Sequence, residues 1–475
     1  MIELLGLGVA LLIAGAFGVA LLEVLVRRAD IGAGFVLVGM LLQAVFVERV
    51  PSLYLKDTRI ELSDLLFVLV VAAGLARLLR VRRYTPLLRW LLLLGIVLLV
   101  SLLRGMLTIS PQGSINDFRQ YLQFAGPALY FATFPPSAWL SDRVGRIWLA
   151  AAGVMVALVT LRWLDVFAGV HLGVPAEKFG NDTAIRVIDG PYTFFLATAA
   201  VLTLPAWVQH GRRARRLRWL SMLLLLFVML LDRRTVWLAM LVGVVVLLLR
   251  NRRFGRRALA MLAGAAIVTS LVFVAFPGSG SDQEPLARSA TSTGTLTWRV
   301  DGWSELLSSW SENPANWLVG RPFGSGFERR VEGSQVDSHP HNFYIETMLR
   351  SGVAGLLALI ALTAGLLRAL WRLGRGSGAR GLFGPDVLPA LVAMQLVWFI
   401  TWVPGSEQGI VTGLALALVA TRARAPSRDP GRARQRDDQA TVAAPAVAPA
   451  APGVAPTARA SAARGPLAPG GGERP

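Results

Sequence analysis

"LLRWLLLLGIVLLVSLL", residues Leu87–Leu103, carries a single charge, Arg89, in an otherwise apolar run. A helix rising about 1.5 Å per residue crosses a hydrocarbon core ~30 Å thick in roughly 17–25 residues. Similar runs begin near Glu3, Ile31, Ile60, Phe118, Arg146, Pro191, Leu217, Val236, Ala258, Phe343 and Val387, with a shorter one near Ile410. They amount to about 13 candidate spans. The pattern predicts an all-α, polytopic integral membrane bundle of about 12–13 transmembrane helices, with one long external loop containing an amphipathic helix. The first run has neither a basic start nor a convincing cleavage site, so it reads as a retained span and not as a signal peptide.

Composition agrees. Of 475 residues, 54% are hydrophobic and 16% charged, and the mean hydropathy is +0.55, too apolar for a soluble chain of this length. The net charge of +19 comes almost wholly from arginine. The clusters Arg27-Arg28, Arg77 to Arg89, Arg212 to Arg218, Arg250 to Arg257 and Arg368 to Arg380 follow alternate spans. By the positive-inside rule these ends are cytoplasmic. Membrane orientation therefore accounts for the basic balance, and no nucleic-acid partner is expected. With no cysteine in the chain, disulfides, thiolate nucleophiles and Cys-ligated metals are excluded.

Four regions follow. Residues 1–276 hold the N-terminal transmembrane helices, 277–342 a long external (periplasmic) loop, 343–421 the C-terminal transmembrane helices, and 422–475 a disordered cytoplasmic Ala/Pro/Arg-rich tail. The loop opens on the Gly/Ser/Thr-rich "PGSGSDQEPLARSATSTGT". In the "TLTWRVDGWSELLSSWSENP" that follows, Trp303, Leu306, Leu307 and Trp310 recur at helical spacing. That stripe fits a helix lying on the membrane surface, and equally a helix packed on the spans.

The loop ends in "SHPHNFYIETMLRSGVAG", Ser338–Gly355, which holds two of the four histidines. Histidine titrates near pH 6.5, so one held at a dry membrane rim is suited to take a proton from a hydroxyl. His341 and Asn342 are followed nine residues later by "GVAG". Gly352 and Gly355 share a helix face there and allow close packing on a neighbouring span. His339 and His341 with Asp337 could be drawn as a metal site, but the spacing across a proline suits no common motif, and no metal or cofactor is expected.

Together with "WRVDGW", "LVGRPFGSGF" and the earlier "LLDRRTVWLAMLVG", this stretch resembles the O-antigen ligase and O-antigen polymerase superfamily of membrane glycosyltransferases. One difference stands out: family members often carry an acidic residue two positions before the first glycine of the motif, where this chain has Arg350. The resemblance implies a glycan donor linked to polyprenyl (undecaprenyl) pyrophosphate and a glycan or lipid acceptor. It also implies inverting, metal-independent transfer at the external face of the cytoplasmic membrane, in cell-surface polysaccharide or lipopolysaccharide biosynthesis. His341 would activate the acceptor hydroxyl, Asn342 and Tyr344 would help position it, and His339 would support the loop.

A pyrophosphate leaving group needs fixed positive charge. Arg299 in the loop and Arg233 and Arg234 in a short external turn are the foremost candidates; Arg119 and Arg186 are further ones. Arg162, inside an apolar run, either pairs with Asp165 or serves a ligand. The sequence leaves ligase, repeat-unit polymerase and protein-glycan transfer unseparated. A lipid-linked oligosaccharide transporter or flippase is the reading from another class.

Overall fold

The Leu87–Leu103 run lies inside a helix, α4 (Pro86–Thr108), whose start is chemically marked. The Thr85 hydroxyl accepts from the Leu88 amide at 3.1 Å and Pro86 takes the first turn, where its missing N–H costs nothing. In this computed structural model, residues 2–46, 51–55, 58–81, 85–170, 187–250, 264, 294–331, 333–373 and 381–422 are described. Among them the order is α1 (Ile2–Arg27), α2 (Ala29–Phe46), a hairpin of β1 (Ser52–Leu55) and β2 (Thr58–Glu61), α3 (Leu62–Val81), α4, α5 (Pro111–Ala132), α6 (Ala138–Ala168), α7 (Gly190–Thr203), α8 (Arg212–Leu230) and α9 (Arg234–Arg250). Then come α10 (Gly294–Ser311), α11 (Pro314–Val319), a hairpin of β3 (Glu328–Val331) and β4 (Ser334–Asp337), α12 (Phe343–Arg372), α13 (Leu388–Thr401) and α14 (Ser406–Arg422).

The chain is thus an all-α polytopic membrane protein. Every apolar run has its helix except the one from Ala258, which lies almost wholly outside the described residues. The Gly/Ser/Thr-rich stretch before Gly294, Arg186 and nearly all of the tail also lie outside them. Helices α5 and α6 begin well before their apolar runs, because Ser110 and Ser137 cap polar first turns, accepting from Gly113 N and Leu140 N at 3.0 Å. Helices α2, α3, α4, α6 and α12 are long and apolar enough to cross a bilayer. Their outward faces stay greasy, Leu79 and Leu107 among them, as lipid contact requires.

The short last run proves central. Gly409 and Gly413 of α14 lie against the α5 backbone, where an added Cβ would collide with the carbonyls of Phe124 and Ala128. Two small residues one turn apart let helix backbones approach closely. At one end of the bundle, contacts join the arginine clusters. Arg80 lies 3.8 Å from Glu23 and Arg143 3.6 Å from Asp30, Arg213 pairs with Asp142, and Arg250 donates to the carbonyls of Leu370 and Leu373.

At the other end, the segment between α11 and β3 is plugged into the spans. Phe323 is fully buried against Phe118 and Tyr121. The hydroxyls of Ser101 and Ser114 donate to the carbonyls of Arg321 (3.2 Å) and Phe323 (3.0 Å). Gly352 does not pack on a span as its spacing suggested. It has φ 66° and breaks α12, lying on the backbone of Trp317 and Leu318, while Gly320, φ 68°, lies on that of Arg350 and Ser351. Gly355 faces Ser351 of its own helix. At this break the Arg321 amide donates to the Leu349 carbonyl at 2.6 Å, so the long segment completes a hydrogen bond beside the interrupted helix.

Candidate functional site

The "SHPHN" segment is held on three sides. Trp303 of α10 donates its indole N–H to the Pro340 carbonyl at 2.6 Å. Arg329 of β3, buried beneath Gly302, donates to the carbonyls of Phe327 (3.1 Å) and Ser338 (2.6 Å). Asn342 caps α12: its side-chain oxygen accepts from the amides of Tyr344 and Ile345, both at 3.1 Å. The α10 stripe rests on protein. Leu306 and Trp310 are buried with Phe327 and Leu349, so the helix braces the first turns of α12, and the packed reading replaces the membrane-surface one for these residues.

These fixings place His341 in the left-handed region, φ 50°, a conformation that costs a non-glycine residue about 1–3 kcal/mol and clusters at functional sites. Its ring stacks on Trp402, in the α13–α14 connection, with centroids 4.5 Å apart and planes 26° apart. Among the described residues neither imidazole nitrogen has a hydrogen-bond partner. Burial, then the charges of Arg299, His339 and Arg329, push its pKa down to about 4, leaving a neutral imidazole with a lone pair at neutral pH.

Arg299 of α10 is half-buried and its Nε has no partner; burial lowers its pKa, so it is a poorly hydrated cation close enough to act on His341. Arg233 reaches the same neighbourhood from the opposite half of the chain. It donates to the Ile188 carbonyl at 3.2 Å and lies 3.8 Å from Asp189, the cap of α7. The next residue, Gly190, lies on Trp398 and Trp402, the latter being the stacking partner of His341. Arg234 is exposed at the start of α9. Tyr344 donates its hydroxyl to the Leu396 carbonyl at 3.3 Å, tying α12 to α13.

Arg119 is engaged elsewhere, 2.7 Å from Asp64 and 3.3 Å from Glu61, its charge matched by two carboxylates. Arg162, buried within α6, donates to the carbonyls of Val187 and Ala44 at 2.9 Å, joining α2 and α6 to the start of α7. Arg350 is buried too. It pairs with Asp117 at 2.6 Å, donates to Ser325 Oγ (2.6 Å) and the Pro322 carbonyl (3.0 Å), and lies over the Phe327 ring at 4.1 Å. Here the basic residue anchors the plugged segment to α5.

One group was missed in the sequence: Glu346, one turn into α12 and buried. It accepts from Gln120 of α5, and its Oε1 lies 3.4 Å from His339 Nδ1. A carboxylate inside an apolar run was the available signal. No group of three or more His, Asp or Glu that could hold a metal occurs among the described residues.

A helical membrane bundle with a loop-borne histidine beside poorly hydrated arginines is the class that fold and site define. Residues 219–360 match a family described as O-antigen ligase, a segment running from α8 through the histidine motif and the break in α12. That match makes this segment similar to the O-antigen ligase family and supports an O-antigen ligase-type function in general. No curated protein matches the chain.

Proposed function

We propose that the protein is a glycosyltransferase that moves a glycan from a polyprenyl pyrophosphate carrier to an acceptor hydroxyl at the external face of the cytoplasmic membrane. The observation that carries this reading is the neutral, left-handed His341, fixed on Trp402 beside Arg299. His341 takes the acceptor proton as the acceptor oxygen attacks the sugar carbon bearing the pyrophosphate. The old C–O bond breaks with its electron pair on the pyrophosphate, and attack opposite the leaving group inverts that carbon. Arg299, with Arg233 and Arg234 from the α8–α9 turn, meets the charge that accumulates there. Asn342 contributes as the cap that fixes where α12 starts, and Tyr344 as the tie to α13.

Arg299, which helps depress His341, is also one of the arginines proposed to hold the donor. When pyrophosphate neutralises it, the imidazole becomes a stronger base in the complex than in the free enzyme. The external placement of the histidines is supported by the arginine clusters, one of which meets the far end of α12 through Arg250, under the positive-inside rule.

The test is transfer by purified protein in proteoliposomes from a polyprenyl pyrophosphate-linked glycan. Single transfer to a separate acceptor defines a ligase; a ladder on the carrier defines a polymerase. Movement of intact donor across the bilayer with no transfer would overturn the reading in favour of a flippase.

A further inference from the structure

The two histidines of "SHPHN" lie in opposite electrostatic settings. His341 has cationic neighbours and a ring face on tryptophan. His339 has Glu346 on its Nδ1 edge, 3.4 Å away, and Phe327 beside the ring, centroids 5.1 Å apart. Glu346 is well placed to stabilise a cation. It is 1% exposed, held by Gln120, and its second oxygen is buried with no hydrogen-bond partner. A buried carboxylate in the first turn of a membrane helix is costly without a positively charged partner.

We propose that Glu346 holds His339 as an imidazolium whose Nε2–H binds the pyrophosphate of the donor, so that one loop supplies a cation at His339 and a neutral base at His341. The inference rests on the donor assignment above and adds to it a positioning residue, Glu346, and a binding role for His339. With Nδ1 turned to the carboxylate, Nε2 lies on the other side of a ring that stays partly exposed. His339 keeps its proton throughout: the acceptor proton passes to His341, and the leaving pyrophosphate receives a charge-assisted hydrogen bond.

The titration of His339 follows from the charges around it. Burial pushes its pKa down. The neighbouring Glu346 and, more weakly, Asp117 of α5 push it up, Arg350 opposes them, and the net shift is upward from 6.5. His341, Arg299 of α10, Arg329 of β3 and Asp337 of β4 are further charged or titratable groups at this loop, and Tyr121 of α5 faces Glu346. The cation is therefore present below the raised pKa and lost as pH rises through it.

Binding of undecaprenyl pyrophosphate to the full chain in nanodiscs, followed from pH 5 to 8, tests this without knowledge of the acceptor. Glu346→Gln should weaken binding about tenfold at pH 7, the loss expected for one charge-assisted hydrogen bond, and should recover it near pH 5. Glu346→Asp should behave nearly as wild type, and His339→Asn, on the loop, should flatten the pH dependence in this range. Superimposable profiles for wild type and either Glu346→Gln or His339→Asn would overturn the pairing while leaving the donor assignment intact. Failure of wild type to bind the lipid at any pH would overturn the donor assignment itself, and this inference with it.

Discussion

His341 and Trp402 stack face to face at 4.5 Å although 61 positions separate them in the chain (402 minus 341). The contact joins the loop-borne histidine to the α13–α14 connection, and through Gly190 to the turn that holds Arg233. Trp402→Ala should therefore lower kcat about tenfold or more by letting the imidazole swing, a loss typical of misplaced catalytic groups. Trp402→Phe should keep most of the activity. Turnover of a polyprenyl-linked donor, measured beside the melting curve, separates misplacement from unfolding.

Arg299 depresses His341, so removing it should move the pH profile in a defined direction. With His341 at about 4, the free enzyme keeps its base unprotonated down to that pH, and kcat/KM should hold through pH 6. Arg299→Gln should raise the His341 pKa towards 6.5 and shift the acidic limb upward, besides weakening the donor. A limb that stays in place would show that Arg299 does not act on this histidine. The sign for stability is the same: because the folded pKa lies below the unfolded one, His341 destabilises the fold as pH falls from about 6.5 towards 4.

The Arg350–Asp117 pair should behave as a buried ion pair. Arg350→Met alone leaves Asp117 and its neighbours unmatched and should cost about 3–5 kcal/mol, whereas Arg350→Met with Asp117→Leu should recover much of it. Thermal unfolding of the purified variants measures both. Equal losses in the single and double variants would contradict a direct pairing.

Close backbone contacts make two further demands. Gly352→Ala meets both a left-handed φ and the Leu318 carbonyl, and should cost roughly 1–3 kcal/mol or more. Gly413→Leu should separate α14 from α5 and lower the melting temperature, while leucine at the lipid-facing Gly95, where nothing lies within 4 Å, should be tolerated.

What the sequence made legible follows from the physics of each element. Spans are set by length and polarity, so runs such as Leu87–Leu103 announced their helices, and the arginine clusters announced a common end. The histidine motif was legible because two of four histidines fall in five residues at a loop end. Pairings were not. Nothing local says that Arg119 answers to Asp64 and Glu61, that Arg350 answers to Asp117, or that Trp402 lies on His341, since each partner comes from a distant helix. Glycine spacing misled for a related reason: at Gly352 it served a break in the helix, while the close helix pairing lay at Gly409 and Gly413. Glu346 passed as part of a span because one carboxylate scarcely alters the hydropathy of the run from Phe343.

The central claim, that His341 is the base of a glycan transfer, is tested most directly by comparing wild type with His341→Ala in proteoliposomes supplied with polyprenyl pyrophosphate-linked glycan and acceptor. The account predicts that His341→Ala binds the donor, melts with wild type and loses transfer by about 10²–10⁴-fold, the range for a general base. Transfer by His341→Ala at the wild-type rate would contradict it.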